Sequence, residues 1–279
     1  MSILENSLEV GSLKWFYREV NPEGGTEKAP AILLHGIPSH SYIWRNVLTG
    51  LEEYKIRAIA PDWIGSGMSD KPNSREFKYT PDAFCQALDD FLNALEFEKV
   101  SLVAQGFLGS VGIQYALRNP DKIERLIILN TPLSSDVTLP WTMKQWGLPF
   151  VGDMATQDPL LVDRTLEKGS GFLISDSDLA MFRQPYLKTS AVGRSLVATI
   201  QNLQLSKSME EIEKGLNEFE KPILLVWGMA DPWLSSSPVE KLAARSNVEL
   251  IPFPEAKHYP QEHWFKEMIP SIVNFLGRQ

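Results

Sequence analysis

Residues 100–109, Val-Ser-Leu-Val-Ala-Gln-Gly-Phe-Leu-Gly, constrain the fold of this chain more than any other stretch. An apolar, β-branched run of strand length meets a glycine, and a helical pattern begins directly afterwards. This order predicts a strand, a sharp turn and a helix, with residue 106 at the tip of the turn. Such a turn can hold a reactive side chain, but Gly106 has none. Any prediction of the function of this chain therefore depends on the role assigned to Gly106.

Strand-like and helix-like segments alternate along the chain, which is typical of a mostly parallel sheet with helices on both faces. Residues 8–11 and 13–20 predict an antiparallel hairpin at a sheet edge, followed by a turn over residues 21–25. Short apolar runs predict further strands at residues 31–34, 56–60, 126–129, 222–227 and 248–251. Helices are expected at about residues 42–53, 80–95, 107–119, 239–245 and 261–276.

The alternation stops at Thr131-Pro132, which predicts an insertion. From about residue 134 to residue 215 there is no strand-like run, and short helical patterns are punctuated by prolines and rich in aromatic side chains. We therefore expect a core formed by residues 1–133 and 216–279, with a helical insertion over residues 134–215. The length of 279 residues fits one large domain with such an insertion.

Charge and cysteine content exclude several classes of protein. The net charge is −8 and no dense run of lysine and arginine occurs, so neither nucleic acid nor an anionic membrane is an expected partner. The only cysteine, Cys85, excludes an intramolecular disulfide and fits a reducing compartment. The first twenty residues lack the apolar segment of a signal peptide, and no stretch approaches the roughly 20 apolar residues of a membrane span. We expect a cytoplasmic protein, or one in the soluble phase of an organelle after loss of a transit peptide.

Four loops carry a resemblance to a known family. They are the oxyanion loop, His35-Gly36-Ile37-Pro38; the loop over residues 62–72, which begins Asp-Trp-Ile-Gly-Ser-Gly; the acid loop, residues 227–233; and the histidine loop, residues 256–262. In this order they resemble the α/β-hydrolase superfamily and, within it, the haloalkane dehalogenase and epoxide hydrolase branch. The resemblance implies an α/β-hydrolase fold, with a mostly parallel eight-stranded sheet flanked by helices and a helical cap in place of the insertion.

At the sharp turn the family reads Val-x-His-Asp-Trp-Gly-Gly, or Gly-x-Ser-x-Gly in esterases. An ungapped comparison places Gly106 at the nucleophile position. A shifted register would make Ser110 the nucleophile. It would, however, put Ser110 one turn inside the helix and misalign the residues before and after the turn with the family pattern. Gln105 replaces the usual histidine and Leu108 replaces a small residue, which favours natural divergence over a single engineered change. Glycine suits the strained turn, so its shape can persist without a reactive group.

The resemblance assigns the remaining chemistry to an acid–histidine dyad, Asp231 and His258. In the family the acid orients the imidazole, which moves protons. A purely structural interpretation stays open, in which Asp231 caps a turn and His258 fills its loop. The backbone N–H groups of Ile37 and Phe107 would form the oxyanion hole, helped by the positive end of a helix. The alternative is ordinary helix geometry with no ligand.

Several residues are expected to line an apolar pocket between cap and sheet. The set comprises His35, Gln105, Trp141, Trp146, Phe172, Tyr186 and Tyr259. His35 is also interpreted as a structural loop histidine, and the cap aromatics, with Met143, Met154 and Met181, are equally compatible with core packing.

The remaining histidines and the cysteine are expected to have no chemical role. His40 and His263 lie on polar stretches and are predicted to be solvated, whereas Cys85 is predicted to pack in the core. No histidine, cysteine, aspartate or glutamate cluster has metal-ligand spacing, and no glycine loop suits a phosphate. We expect neither a metal nor a cofactor, and the sequence leaves the oligomeric state open.

Two activities of the resembled branch are not expected. Ile37 and Phe107 replace the asparagine and tryptophan that bind halide in dehalogenases, and Asn130 lies where some dehalogenases place an alternative acid. Epoxide opening usually draws on two cap tyrosines, and the insertion offers only Tyr186.

Two hypotheses remain. The first is a hydrolase-like enzyme in which His258 acts as a general base, without a covalent intermediate, on a small apolar ester, lactone or epoxide-type substrate. The second is a catalytically inactive protein that binds a small apolar ligand or a protein partner, since fold alone does not define function.

Overall fold

The computed structural model describes residues 3–24 and 29–278, so residue 25 of the predicted turn lies outside the described residues. The strands are β1 (Leu4–Val10), β2 (Leu13–Val20), β3 (Ala31–Leu34), β4 (Ala58–Pro61), β5 (Val100–Gln105), β6 (Ile123–Leu129), β7 (Ile223–Gly228) and β8 (Val248–Phe253). They form one sheet in the order β1-β2-β4-β3-β5-β6-β7-β8. β1 and β4 pair antiparallel with β2, and all other neighbours pair parallel. The predicted edge hairpin and the mostly parallel eight-stranded sheet are confirmed.

Helices follow the strands as the alternation predicts. They are α1 (Arg45–Glu53), α2 (Pro81–Ala94), α3 (Gly106–Arg118), α4 (Trp141–Gln145), α5 (Val151–Ala155), α6 (Leu160–Ser170), α7 (Asp176–Lys188), α8 (Ala191–Asn202), α9 (Leu205–Glu218), α10 (Ser237–Leu242), α11 (Pro260–His263) and α12 (Phe265–Gly277). The predicted first helix starts as a 3₁₀ turn over Ser41–Trp44, and the predicted last helix is divided at Trp264. No helix in the described residues is both long and apolar enough to cross a membrane.

The inserted segment is helical, from α4 to α9, and its last helix leads back to the sheet. Glu211 on α9 accepts hydrogen bonds from Gln114 Nε2 at 2.7 Å and from Arg118 Nε at 2.6 Å, both on α3. Since α9 runs to Glu218, the expected boundary between residues 215 and 216 falls inside a helix. The division into core and cap stays a prediction.

The parallel strands place their loops at one edge of the sheet. β5 lies between β3 and β6, and every one of its residues is buried. Helix α3 packs closely on the sheet, because a Cβ on Gly112 would stand 2.5 Å from Leu34 Cδ1. The loops after β3, β5, β7 and β8 leave the carboxyl ends of parallel strands, where ligand sites of open α/β sheets form.

The prediction that His40 is solvated is wrong. Its side chain is buried at the start of the 3₁₀ turn, its ring lies 5.5 Å from the Phe182 ring of α7, and its Nδ1 accepts the Tyr42 N–H at 3.4 Å. Burial lowers the pKa of His40 to about 4, although the nearby Asp62 carboxylate acts in the opposite direction. The polar residues next to His40 in the sequence suggested exposure to solvent, although the side chain is buried. Cys85, in contrast, is buried in the core as predicted, and burial raises its pKa to about 12.

Replacing His40 by asparagine should flatten the acid side of the stability profile. The pKa of His40 is about 4 in the folded chain, against about 6.5 in an unfolded one. Between these values the unfolded chain binds a proton that the native protein does not, so stability present above pH 6.5 is lost as the pH falls. We expect His40→Asn, whose Oδ1 keeps an acceptor near the Tyr42 N–H, to avoid a loss of up to about 3 kcal/mol. Urea unfolding at about pH 7 and about pH 4.5 measures the difference, and equal losses in both proteins would contradict the prediction.

Candidate active site

The site lies where β5 turns into α3. Gly106, the first residue of α3, has a φ of +74°, in the left-handed region that glycine adopts at little cost. A Cβ built on Gly106 would lie 3.6 Å from His258 Nε2 and 3.0 Å from Gly36 Cα. Ser110 lies one turn further along α3, and its hydroxyl donates to the Phe107 carbonyl oxygen at 2.7 Å. The residue at the tip that faces the imidazole is therefore Gly106.

The loops after β7 and β8 bring Asp231 and His258 together. His258 Nδ1 lies 2.8 Å from Asp231 Oδ2, and both side chains are fully buried. The other carboxylate oxygen accepts the N–H groups of Trp233 at 2.8 Å and Leu234 at 3.2 Å. Because a carboxylate accepts at Nδ1, that nitrogen carries a proton, and in the neutral imidazole Nε2 then presents its lone pair. The geometry is that of an acid-oriented general base.

Asn130 holds the acid in place, a role that the sequence did not indicate. Its Nδ2 donates to Asp231 Oδ2 at 2.8 Å and to the Gly228 carbonyl oxygen at 3.0 Å, and its Oδ1 accepts the Gly228 N–H at 2.8 Å. Its backbone has a φ of +34°. The amide therefore fixes both the end of β7 and the carboxylate that follows it.

Aromatic rings and the cap enclose the imidazole. The His258 ring lies 4.7 Å from Trp233, 4.8 Å from Tyr259 and 5.7 Å from Phe107. Its backbone N–H donates to the Gly169 carbonyl oxygen of α6 at 2.8 Å. Gly169 permits this approach, since a Cβ there would stand 2.4 Å from Tyr259 Cε2 and 2.8 Å from Trp233 Cη2. Nothing in the sequence pattern pointed to Gly169.

Gln105 supports the same loop from the sheet side. Its Nε2 donates to the His258 carbonyl oxygen at 2.9 Å, and the side chain is fully buried. Gln105, which differs from the histidine of the family pattern, thus holds the histidine loop through this hydrogen bond. Its side chain does not face an open pocket.

The oxyanion loop lies against the turn through its backbone. A Cβ on Gly36 would stand 2.9 Å from both the Gln105 carbonyl oxygen and Gly106 Cα. The N–H groups of Ile37 and Phe107 donate to no backbone or side-chain acceptor in residues 3–24 and 29–278. Neither N–H is thus occupied by an acceptor in these residues, and their role as an oxyanion hole stays a prediction.

Two tyrosine hydroxyls hold the carbonyl groups of this loop. Tyr259 donates to the Ile37 carbonyl oxygen at 3.2 Å, and Tyr186 of α7 donates to the Pro38 carbonyl oxygen at 3.3 Å. Burial raises the pKa of both hydroxyls, so they remain protonated donors near neutral pH. The expected pocket residues Tyr186 and Tyr259 thus border the site from the cap and the histidine loop.

The expected aromatic lining is divided between interior and surface. Trp146 is buried and, with Trp233, borders a cavity of about 740 Å³ between α4, α5 and α6. Trp141 lies at the surface with 68% of its area exposed, and Phe172 is 45% exposed, with its ring 4.5 Å from that of the half-buried His263. Among the cap methionines, Met143 is buried and Met154 is 79% exposed.

Within the described residues, no group of three or more histidine, cysteine, aspartate or glutamate side chains is arranged to hold a metal ion. The chemistry that the residues present can support is proton transfer at His258 Nε2, with stabilisation of an oxyanion by backbone N–H groups.

Known proteins share this architecture. The sequence profile of the α/β-hydrolase fold family matches residues 30–263. The chain is 27% identical to the cis-3-alkyl-4-alkyloxetan-2-one decarboxylase of Xanthomonas campestris pv. campestris, over 92% of this chain and 91% of that protein. It is 28% identical to a haloalkane dehalogenase of Mycolicibacterium paratuberculosis, over 91% and 85% of the two chains. The crystal structure of haloalkane dehalogenase DbeA from Bradyrhizobium elkani USDA94 superposes with a TM-score of 0.86 at 23% identity, covering 99% and 98% of the chains, a likeness in fold.

The profile match spans most of the chain. The proteins similar to this chain in sequence or in structure include several haloalkane dehalogenases. The chain therefore belongs to the α/β-hydrolase fold family, in its haloalkane dehalogenase-like branch.

Proposed function

We propose that this protein is a hydrolase-like enzyme in which His258 acts as a general base on a small apolar lactone or ester, without a covalent intermediate. One observation carries the proposal. His258 Nε2 is buried and has no hydrogen-bond partner among the described residues, and it faces the position where a Gly106 side chain would begin, 3.6 Å away. An oxygen atom of water or substrate at this place lies within reach of the base.

The proposed reaction has two steps. His258 Nε2 takes a proton from a water molecule while the water oxygen forms a bond to the carbonyl carbon, and the carbonyl oxygen becomes an oxyanion held by the N–H groups of Ile37 and Phe107. The oxyanion then collapses and the bond to the ring or ester oxygen breaks. That oxygen receives the proton from His258, which restores the neutral base and yields a hydroxy acid from a lactone. Asp231 stabilises the imidazolium between the two steps.

A strained substrate suits a site without a nucleophile. General-base assistance is worth about 10²–10⁴-fold, whereas loss of a nucleophile can cost about 10⁶-fold in kcat. A four-membered lactone releases ring strain on opening and therefore needs less help than an unstrained ester or an amide. The likeness to a protein named as acting on an oxetan-2-one, which is such a ring, supports this substrate class.

Dehalogenation is not part of the proposal. Ile37 and Phe107 are both buried beside Gly106 and carry apolar side chains that cannot donate a hydrogen bond to a leaving halide. Opening an epoxide on a covalent carboxylate intermediate equally needs a nucleophile, which glycine does not supply.

Replacing His258 by alanine should abolish most of the turnover. We expect the rate of opening of 4-hexyloxetan-2-one to fall by about 10²–10⁴-fold, because the base is lost. The measurement is the initial rate, followed as carboxylic acid release, with product analysis for the hydroxy acid or for an alkene and CO₂.

His263→Ala is the matched control, since His263 lies in α11 against Phe172 and outside the dyad. It should keep the wild-type rate within about threefold. Equal rates for wild type and His258→Ala would contradict the general-base role.

Gly106→Ser should restore a covalent intermediate. A hydroxyl at this position comes within reach of His258 Nε2, since the Cβ position lies 3.6 Å away. We expect mass spectrometry of the lactone-treated variant to show an acyl adduct that the wild type lacks. The positive φ should cost about 1–2 kcal/mol in free energy of unfolding.

Gly106→Ala carries the same backbone strain without a nucleophile and serves as the control. Adducts of equal yield on Gly106→Ser and Gly106→Ala would show that Gly106 does not occupy the nucleophile position.

A non-catalytic binding protein is the second candidate, and the enclosure of the dyad favours it. The His258 side chain is fully buried among Phe107, Trp233 and Tyr259, so a substrate has to displace packed rings to reach Nε2. Binding of the lactone by both wild type and His258→Ala, with no turnover by either, would favour this candidate over the enzyme.

A further inference from the structure

His35 is fully buried next to the oxyanion loop, and its two ring nitrogens have different partners. Nε2 lies 3.1 Å from the Trp63 backbone N–H, which can only donate, so Nε2 accepts. The proton is therefore on Nδ1, which donates to the Gly36 carbonyl oxygen at 2.8 Å. Burial lowers the pKa of His35, which keeps this neutral tautomer near neutral pH. The ring is a fixed donor aimed at a single carbonyl group.

The Gly36 carbonyl belongs to the same peptide unit as the Ile37 N–H. The Ser39 hydroxyl also donates to it, at 3.1 Å, so both lone pairs of this oxygen are occupied by buried groups. The Gly36–Ile37 peptide is trans, and in a planar trans peptide the carbonyl and the N–H point in opposite directions. Fixing the oxygen toward His35 therefore fixes the N–H toward the other side.

The next carbonyl group is held as well. Tyr259 donates to the Ile37 carbonyl oxygen, so the peptides before and after the Ile37 Cα are both restrained. The Ile37 N–H itself donates to no protein acceptor in the described part of the chain. It is a restrained donor left free for a ligand beside Gly106.

We infer that His35, with Ser39, is a positioning residue that aims the Ile37 N–H at the oxyanion, through its hydrogen bond to the Gly36 carbonyl oxygen. This inference rests on the proposed function, in which Ile37 supplies one of the two oxyanion donors. Loss of one such donor costs about 10²–10³-fold in kcat. If the donor is retained but no longer directed at the oxyanion, we expect a smaller loss in kcat, about 10–100-fold.

Two substitutions separate this role from simple packing. In His35→Asn, the side-chain amide nitrogen stands near the position of Nδ1 and keeps a donor for the Gly36 carbonyl oxygen. In His35→Gln, the side-chain oxygen stands near Nε2 and keeps an acceptor for the Trp63 N–H, but the donor to Gly36 is lost. With 4-hexyloxetan-2-one we expect His35→Gln to lower kcat by about 10–100-fold with little change in KM, and His35→Asn to stay within about threefold of wild type.

Hexylphosphonate, an anion with tetrahedral oxygens, tests the donor without turnover. In ¹⁵N–¹H spectra it should shift the Ile37 amide signal of wild type and His35→Asn, but much less that of His35→Gln. Equal effects of the two substitutions on kcat and on the Ile37 shift would overturn the inference. If His35→Gln does not fold, Ser39→Ala replaces it and should show a weaker loss of the same kind.

The two proposals fail in different ways. If wild type opens no lactone, the proposed function falls, and the hexylphosphonate titration alone decides the inference. An Ile37 shift present in His35→Asn and absent in His35→Gln supports it, and no shift in wild type overturns it. If His258→Ala abolishes turnover while His35→Gln and His35→Asn remain fully active, the enzyme stands and the role of His35 is refuted.

Discussion

The hydrogen bond between His258 Nδ1 and Asp231 Oδ2 fixes the orientation of the imidazole, on which the rest of the candidate site depends. Asp231 Oδ2 lies 2.8 Å from Nδ1. Asn130 and two backbone N–H groups donate to the carboxylate and hold it in place. This arrangement directs Nε2 at Gly106, where a Cβ would lie 3.6 Å away. Nε2 is therefore a buried nitrogen without a hydrogen-bond partner in the described part of the chain.

The sharp turn at Gly106 depends on the backbone rather than on a side chain. The positive φ and the close approach of Gly36 are backbone properties, and both are easiest for glycine. The N–H of Phe107 at the start of α3 and the N–H of Ile37 depend equally on the backbone. Since these donors do not depend on side-chain identity, the proposed oxyanion site does not require the family's side chains at residues 105, 106 and 108.

The sequence predicted the features that depend on local pattern and failed where long-range packing decides. The strands and the helix expected at about residues 80–95 were predicted correctly, because hydrophobic period and helix-start signals depend on neighbouring residues. His40 was misplaced, because polar neighbours suggest solvent while the cap helix α7 covers the ring. The roles of Gly169 and Asn130 were not found, since each acts through a contact with a residue distant in sequence. Nothing in the sequence distinguished Trp141 from Trp146, yet Trp141 is exposed and Trp146 is buried.

Contacts between the inserted helices and the loop of His258 hold that loop in place. The His258 N–H is bonded to the Gly169 carbonyl oxygen of α6, and Arg45 joins Asp178 of α7 at 3.1 Å to Glu262 of α11 at 3.0 Å. The loop that carries the base is thus fastened to the cap at two points. Movement of α6 away from the sheet would break a backbone hydrogen bond of His258 itself and loosen the rings of Trp233 and Tyr259.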